Sequence, residues 1–232
     1  MGAILISDFD GTAVEKLKPK LWQPRTRARN MFKYPLAGMD GYIDFLEGVN
    51  STGVENGGVA TIRKEWARRW VTERSIRKLG MTGFFGDPES VFYGGNEGAK
   101  ALRVADVALD ETKPQTVGMI EDMPQKFVPE LVERLDFAAH MAGVPEDCPV
   151  PRVIVGAVQH PDRPSRLNQM MRDIFALSGD PWGWTEQSPQ PREQADGSIR
   201  IRTDFMNVSV VRLGAYSYDE GVRFGERLLA DS

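Results

Sequence analysis

Short apolar runs alternate with amphipathic stretches along most of the chain. Ala3–Ser7 is a short apolar run of the kind that forms a buried strand. Pro19, Pro24 and Pro35 break any regular pattern across 13–38. Tyr42–Val49 reads as a helix, with Ile43, Leu46 and Val49 near a three-to-four spacing, and Gly57–Ile62 reads as a second strand. Residues 64–79 have helical spacing, with Trp66, Trp70, Ile76 and Leu79 apolar among charges and Gly80 placed to stop the helix. A third strand is predicted at Ser90–Gly95. A helix follows at Ala99–Leu109, with Leu102, Ala105 and Leu109 on one side. Thr116–Ile120 reads as a fourth strand ending at Glu121-Asp122, followed by a helix at Phe127–Leu135. Pro151–Val158 reads as a fifth strand and Arg166–Leu177 as another helix. Residues 178–198 are rich in Pro, Gly and Gln and are expected to form a long loop, either a functional flap or a partly disordered segment, with Trp182 and Trp184 read as plugs that pin it to the body in preference to a substrate-stacking lid. A strand near 205–213 and a helix at 218–230 close the chain.

Strand–helix alternation on this spacing predicts an α/β fold with a mainly parallel sheet and helices on both faces. No repeat and no linker divides the 232 residues, so a single domain is expected. Residues 136–232 would extend the sheet.

Composition changes this picture little. Hydrophobic residues make up 41% and charged residues 27%, ordinary for a water-soluble domain. The one cysteine, Cys148, excludes an intramolecular disulfide and a multi-thiolate metal site, which suits a reducing cytoplasm. No apolar stretch approaches the length of a membrane span, and the apolar run before Asp8 is too short for a signal peptide, so no membrane partner is expected. Charge is uneven. Residues 1–80 hold 14 Lys/Arg against 9 Asp/Glu, and 13–33 alone hold Lys16, Lys18, Lys20, Arg25, Arg27, Arg29 and Lys33 against Glu15. A basic flap of this kind favours an anionic substrate. Aromatic residues are sparse in it, so support for single-stranded nucleic acid as a partner is weak.

Candidate chemistry lies at the predicted strand ends, where open parallel sheets bind ligands. Asp8 and Asp10 follow the first strand, Thr61 ends the second, and Glu121 and Asp122 follow the fourth. Several carboxylates share one site in ionised form only when a cation neutralises them. An oxygen-only donor set favours Mg²⁺, which leaves positions for phosphate oxygens. One carboxylate can then attack phosphorus while a second handles the proton. Gly11 permits the turn that would bring Asp10 back over the site.

Asp8-Phe9-Asp10-Gly11-Thr12, preceded by a hydrophobic strand, resembles the signature of the haloacid dehalogenase superfamily. The strand into Thr61 resembles its second motif, and Lys100 stands 22 residues before Asp122, at the spacing of its third-motif lysine. Val117–Pro124, with adjacent Glu121 and Asp122, resembles the acidic fourth motif. The resemblance covers about residues 3–135. It implies a Rossmann-like three-layer α/β/α fold and a Mg²⁺-dependent phosphatase of phosphorylated small molecules or macromolecules. Asp8 would be the nucleophile, and Asp10 the general acid and then base. Thr61, Lys100 and the backbone of Phe9 and Asp10 would hold the phosphoryl group. Asp8, Asp122, Glu121 and the Asp10 carbonyl would serve the metal. Lys113 is a rival to Lys100, but it precedes the fourth strand, at its far end. The segments between the motifs are too short for a large cap domain, which implies an open site, or one closed by a second copy in a homodimer. Phosphotransferase or mutase activity on the same fold, and a non-catalytic binding protein, are the alternatives.

Overall fold

A computed structural model describes residues 2–14, 38–63, 65–85, 91–110, 116–142, 152–158, 169, 173, 191–202 and 207–230. Outside them lie most of the expected basic flap at 13–38, Lys113, Cys148, the predicted helix at 166–177 apart from Gln169 and Asp173, and the predicted loop up to residue 190 with its two tryptophans.

The strands are β1 (Ala3–Ser7), β2 (Glu55–Thr61), β3 (Val91–Tyr93), β4 (Thr116–Glu121), β5 (Arg152–Ala157), β6 (Arg192–Glu193), β7 (Ile199–Arg202) and β8 (Asn207–Arg212). The helices are α1 (Tyr42–Ser51), α2 (Glu65–Lys78), α3 (Thr82–Phe85), α4 (Glu97–Ala108), α5 (Pro124–Ala142) and α6 (Tyr218–Leu229). They build an α/β fold around one sheet in the order β3-β2-β1-β4-β5-β8-β7-β6. The six strands from β3 to β8 are parallel, and β7 pairs antiparallel with both β8 and β6. The parallel part has the doubly wound 3-2-1-4-5-6 order, in which the chain leaves β1 in both directions. The crevice outside the carboxyl ends of β1 and β4 is therefore the expected ligand position. No helix among the described residues is long and apolar enough to cross a membrane.

Alternation along the strands divides the apolar side chains into two cores. Ala3, Leu5, Val59, Ile154 and Val211 pack with α1, α2, α3 and α6. Ile6, Ala60, Val117, Met119, Val153, Val155, Val208 and Val210 pack with α4 and α5 on the other face. α1 and α6 meet almost backbone to backbone. A Cβ on Gly221 would lie 2.0 Å from the Phe45 carbonyl oxygen, and one on Gly48 would lie 2.1 Å from that of Tyr218. The C-terminal part of the chain thus does more than widen the sheet, because it supplies the partner of α1.

Three sequence expectations need correction. The helix at Glu65–Lys78 buries Val71, Thr72, Ser75 and Ile76, and Trp70 is 57% exposed instead of facing inward. Its predicted stop holds: Gly80 has φ +74°, and the Met81 amide donates to the Ile76 carbonyl. In α4 the buried stripe is Lys100, Ala101, Val104, Ala105 and Ala108, while Leu102 is 45% exposed. Spacing had drawn the apolar face through the largest side chain, whereas the close approach of α5 selects the small ones. Finally, the end of the predicted long loop is a β-hairpin. Ile199 and Ile201 are buried and Arg200 and Arg202 exposed, a period-two pattern. Asp196-Gly197 supplies the turn, with Gly197 at φ +74° and the Asp196 carboxylate accepting from the Ser198 amide and hydroxyl.

Candidate active site

Parallel pairing sets the geometry of the site. β1 and β4 run in register from Ala3↔Thr116 to Ser7↔Ile120, and the Asp8 amide adds one more bond to the Ile120 carbonyl at 2.9 Å. Asp8 is thereby held beside Glu121 at the last rung of the sheet. The chain then turns at Gly11, whose φ of +86° suits glycine. The Gly11 amide donates to the Val14 carbonyl at 2.7 Å, and the Ala13 and Val14 amides donate to the Phe9 carbonyl. This closed loop carries Asp10 and returns Thr12 toward Asp8, whose Oδ2 lies 3.5 Å from Thr12 Oγ1.

Two tyrosines from distant elements buttress the loop. Tyr42 at the start of α1 shares a 2.5 Å hydrogen bond with Ser7 Oγ, which also reaches the Asp8 carbonyl. Tyr216, just before α6, donates to the Thr12 carbonyl at 3.2 Å. The two rings meet edge to face, centroids 5.1 Å apart. Burial raises both phenols well above the usual tyrosine pKa, so they stay protonated.

Asp8, Glu121 and Asp122 are all buried, and one carboxylate oxygen from each lies within 4.8 Å of the others. Lys100 enters from α4 on the buried stripe described above. Its Nζ lies 2.6 Å from Glu121 Oε2, 2.9 Å from Glu97 Oε2 and 3.4 Å from Asp8 Oδ1. Glu121 turns its other oxygen to the Met123 amide at 3.0 Å. Asn96 caps α4 by accepting from the Ala99 amide, and so fixes the helix turn that carries Glu97 and Lys100.

This donor set fits a hard cation. It offers only oxygen ligands, and three carboxylates surround a single ammonium, with Asp122 adding a fourth negative group beside Asp8 and Glu121. Burial, and then the charges of Glu121 and Asp122, push the Asp8 carboxyl well above its ordinary range despite the opposing pull of Lys100. Burial pulls Lys100 down, but Glu121, Asp8 and Glu97 outweigh it and hold the ammonium above its ordinary value. The cluster thus lacks positive charge, and a metal ion held by Asp8, Glu121 and Asp122 would provide it.

Asp10 lies outside this group and is partly exposed. Its carboxylate is forked by Arg63, with Nε to Oδ2 at 2.6 Å and Nη2 to Oδ1 at 2.5 Å. Thr61, fully buried at the end of β2, accepts from the Arg63 amide through Oγ1 at 3.2 Å, which leaves its hydroxyl proton to donate. Phe9 contributes a buried ring to the core, 4.8 Å beneath the Arg63 guanidinium. Asp8, Lys100, Glu121 and Asp122 are therefore brought together, and Asp10 and Thr61 stand beside them, linked through Arg63. Sequence reasoning missed Glu97, Arg63 and the two tyrosines. Glu97 alone left a local signal, one turn before Lys100.

No known protein family, curated protein or solved structure matches the chain.

Proposed function

We propose that the chain is a Mg²⁺-dependent phosphomonoester hydrolase of the haloacid dehalogenase type, acting through an aspartyl-phosphate on Asp8. The observation that carries this reading is convergence. Asp8, Lys100 and the Glu121-Asp122 pair come from three separate segments and are buried together at the sheet's switch point. Four buried ionisable groups are costly to the fold, and such clusters concentrate at functional sites.

Asp8 ends β1 with its backbone fixed, so its carboxylate can be presented to phosphorus without reorganisation. Its oxygen forms the new bond to phosphorus as the ester P–O bond breaks. The electron pair stays on the leaving oxygen, which takes a proton from Asp10. A water then attacks phosphorus, its proton passes to Asp10, and the Asp8–phosphorus bond breaks to release phosphate. Lys100 balances the charge on Asp8 and the transferring group, and the Thr61 hydroxyl donates to a phosphoryl oxygen. A bound Mg²⁺ would supply charge stabilisation of the phosphoryl group.

The test is phosphate release from phosphorylated metabolites, phosphopeptides and end-phosphorylated oligonucleotides, with Mg²⁺ or EDTA, by wild type and Asp8→Asn. Release that needs the metal and disappears in the variant is expected, and the best substrate separates small molecules from macromolecules. No release from any of them, together with a melting temperature indifferent to Mg²⁺, would favour a binding protein.

A further inference from the structure

Arg63 makes more contacts beside the site than a surface arginine needs. Its Nε and Nη2 fork both oxygens of Asp10, and Nη1 donates to Thr72 Oγ1 on α2 at 3.0 Å. The guanidinium plane stands over the Phe9 ring, and its backbone amide is tied to Thr61. Thr72, Phe9 and Thr61 are each fully buried, and the arginine side chain is only 10% exposed. Arg63 is thus fixed from strand, helix and loop at once, and among the described residues its one charged partner is Asp10.

We propose that Arg63 is the positioning residue for the proton-transferring carboxylate Asp10, an inference that rests on the hydrolase reading above. The loop's own hydrogen bonds fix the Asp10 main chain and leave its side-chain torsions free. The two-pronged contact removes that freedom, as a single ammonium cannot. A carboxylate has about four lone-pair positions, and the fork uses two, so one remains on each oxygen to receive a proton, which can then be passed on. Most of the guanidinium's donors are committed to the protein, which argues for a holder of Asp10 over a direct ligand of substrate.

The distinguishing property is the leaving group. p-Nitrophenolate departs without help from an acid, whereas an alkoxide needs its proton. The steps up to Asp8 phosphorylation are reported by kcat/KM. Arg63→Lys is expected to lower kcat/KM for glycerol phosphate by roughly 100-fold and for p-nitrophenyl phosphate by only a few-fold. In an Asp10→Asn background it should add no further loss on either substrate. Thr72→Val, which removes only the outer anchor of Arg63, should give a smaller loss with the same substrate pattern, and covers the case in which Arg63→Lys folds poorly.

Equal losses on both substrates, or a loss that multiplies with Asp10→Asn, would overturn the proposal and make Arg63 a phosphate ligand or a structural residue. Failure of the hydrolase reading looks different: wild type would turn over neither substrate with Mg²⁺. A thermal-melt cycle over Arg63 and Asp10 that still showed coupling would then leave the fork as a structural clamp and overturn the positioning role.

Discussion

Lys100 and Gly221 occupy tight places on opposite faces of the sheet, and the two places are held together differently. At Gly221 the backbones of α1 and α6 touch because each helix offers a glycine to the other's backbone, Gly48 from α1 and Gly221 from α6. At Lys100 three carboxylates crowd one ammonium, all but Glu97 nearly inaccessible to water. The helix seam is complete in itself, so its contribution to stability should not depend on what is dissolved around the protein. The charge cluster is incomplete, so its contribution should follow cation concentration and pH. One molecule thus carries a scaffold fixed by shape beside a centre whose energy is set from outside.

The largest effect expected from breaking this contrast comes from Lys100→Met. It leaves Glu121 and Asp8 buried without their ammonium, at a cost of about 3–5 kcal/mol. Denaturant melts should show the loss, and Mg²⁺ should recover part of it. Gly221→Ala drives a methyl into a backbone carbonyl, which neither partner can move cheaply. A loss near the upper end of the roughly 1–3 kcal/mol overpacking range is expected, equal in Mg²⁺ and in EDTA. A Mg²⁺ dependence of that loss would break the comparison.

Mg²⁺ itself should stabilise wild type by about 2.7 kcal/mol at one hundred times its dissociation constant. Asp122→Asn should lose most of this gain, as read by calorimetry. The metal-free protein should also lose stability as pH rises. The folded pKa of Asp8 lies above its ordinary 3.8, so the native state holds this proton more tightly than the unfolded chain does. Stability from this group is whole below about pH 4 and is lost as pH climbs through the folded pKa. Asp8→Asn should flatten that slope, and saturating Mg²⁺ should suppress it, because the cation favours the ionised form. The smallest effect is expected at Leu102→Lys, within about 0.5 kcal/mol, since the side chain faces water. A larger loss would mean that the buried stripe of α4 runs through Leu102 after all.

What could be read from the sequence divides along the same line. Asp8 to Thr12, Thr61, and Glu121 with Asp122 lie at the ends of apolar strands, and a parallel sheet sends those ends to one edge. Strands β1, β4 and β5 were legible for the same reason, since they are continuous apolar runs, but their order in the sheet was not. Arg63 was not legible, because its meaning depends on a carboxylate 53 residues away. Tyr216 lies 204 residues from the carbonyl it holds. Periodicity also misplaced the buried face of α4, since the size of Leu102 outweighed the small residues that admit α5. The β6–β7 hairpin did carry its signal, Asp196-Gly197 before alternating Ile and Arg, but the Pro/Gly-rich surroundings obscured it.

The amide of Asp8 is bonded into the sheet at the Ile120 carbonyl. Its proton can exchange with solvent only when β1 parts from β4, the central pair of the parallel order, so it should be among the slowest-exchanging amides in the protein. A residue proposed as a nucleophile would then be unusually well protected on that timescale. If substrate entry or release requires motion, the motion must arise in other elements, and Asp8 is the fixed point against which deuterium uptake elsewhere can be measured.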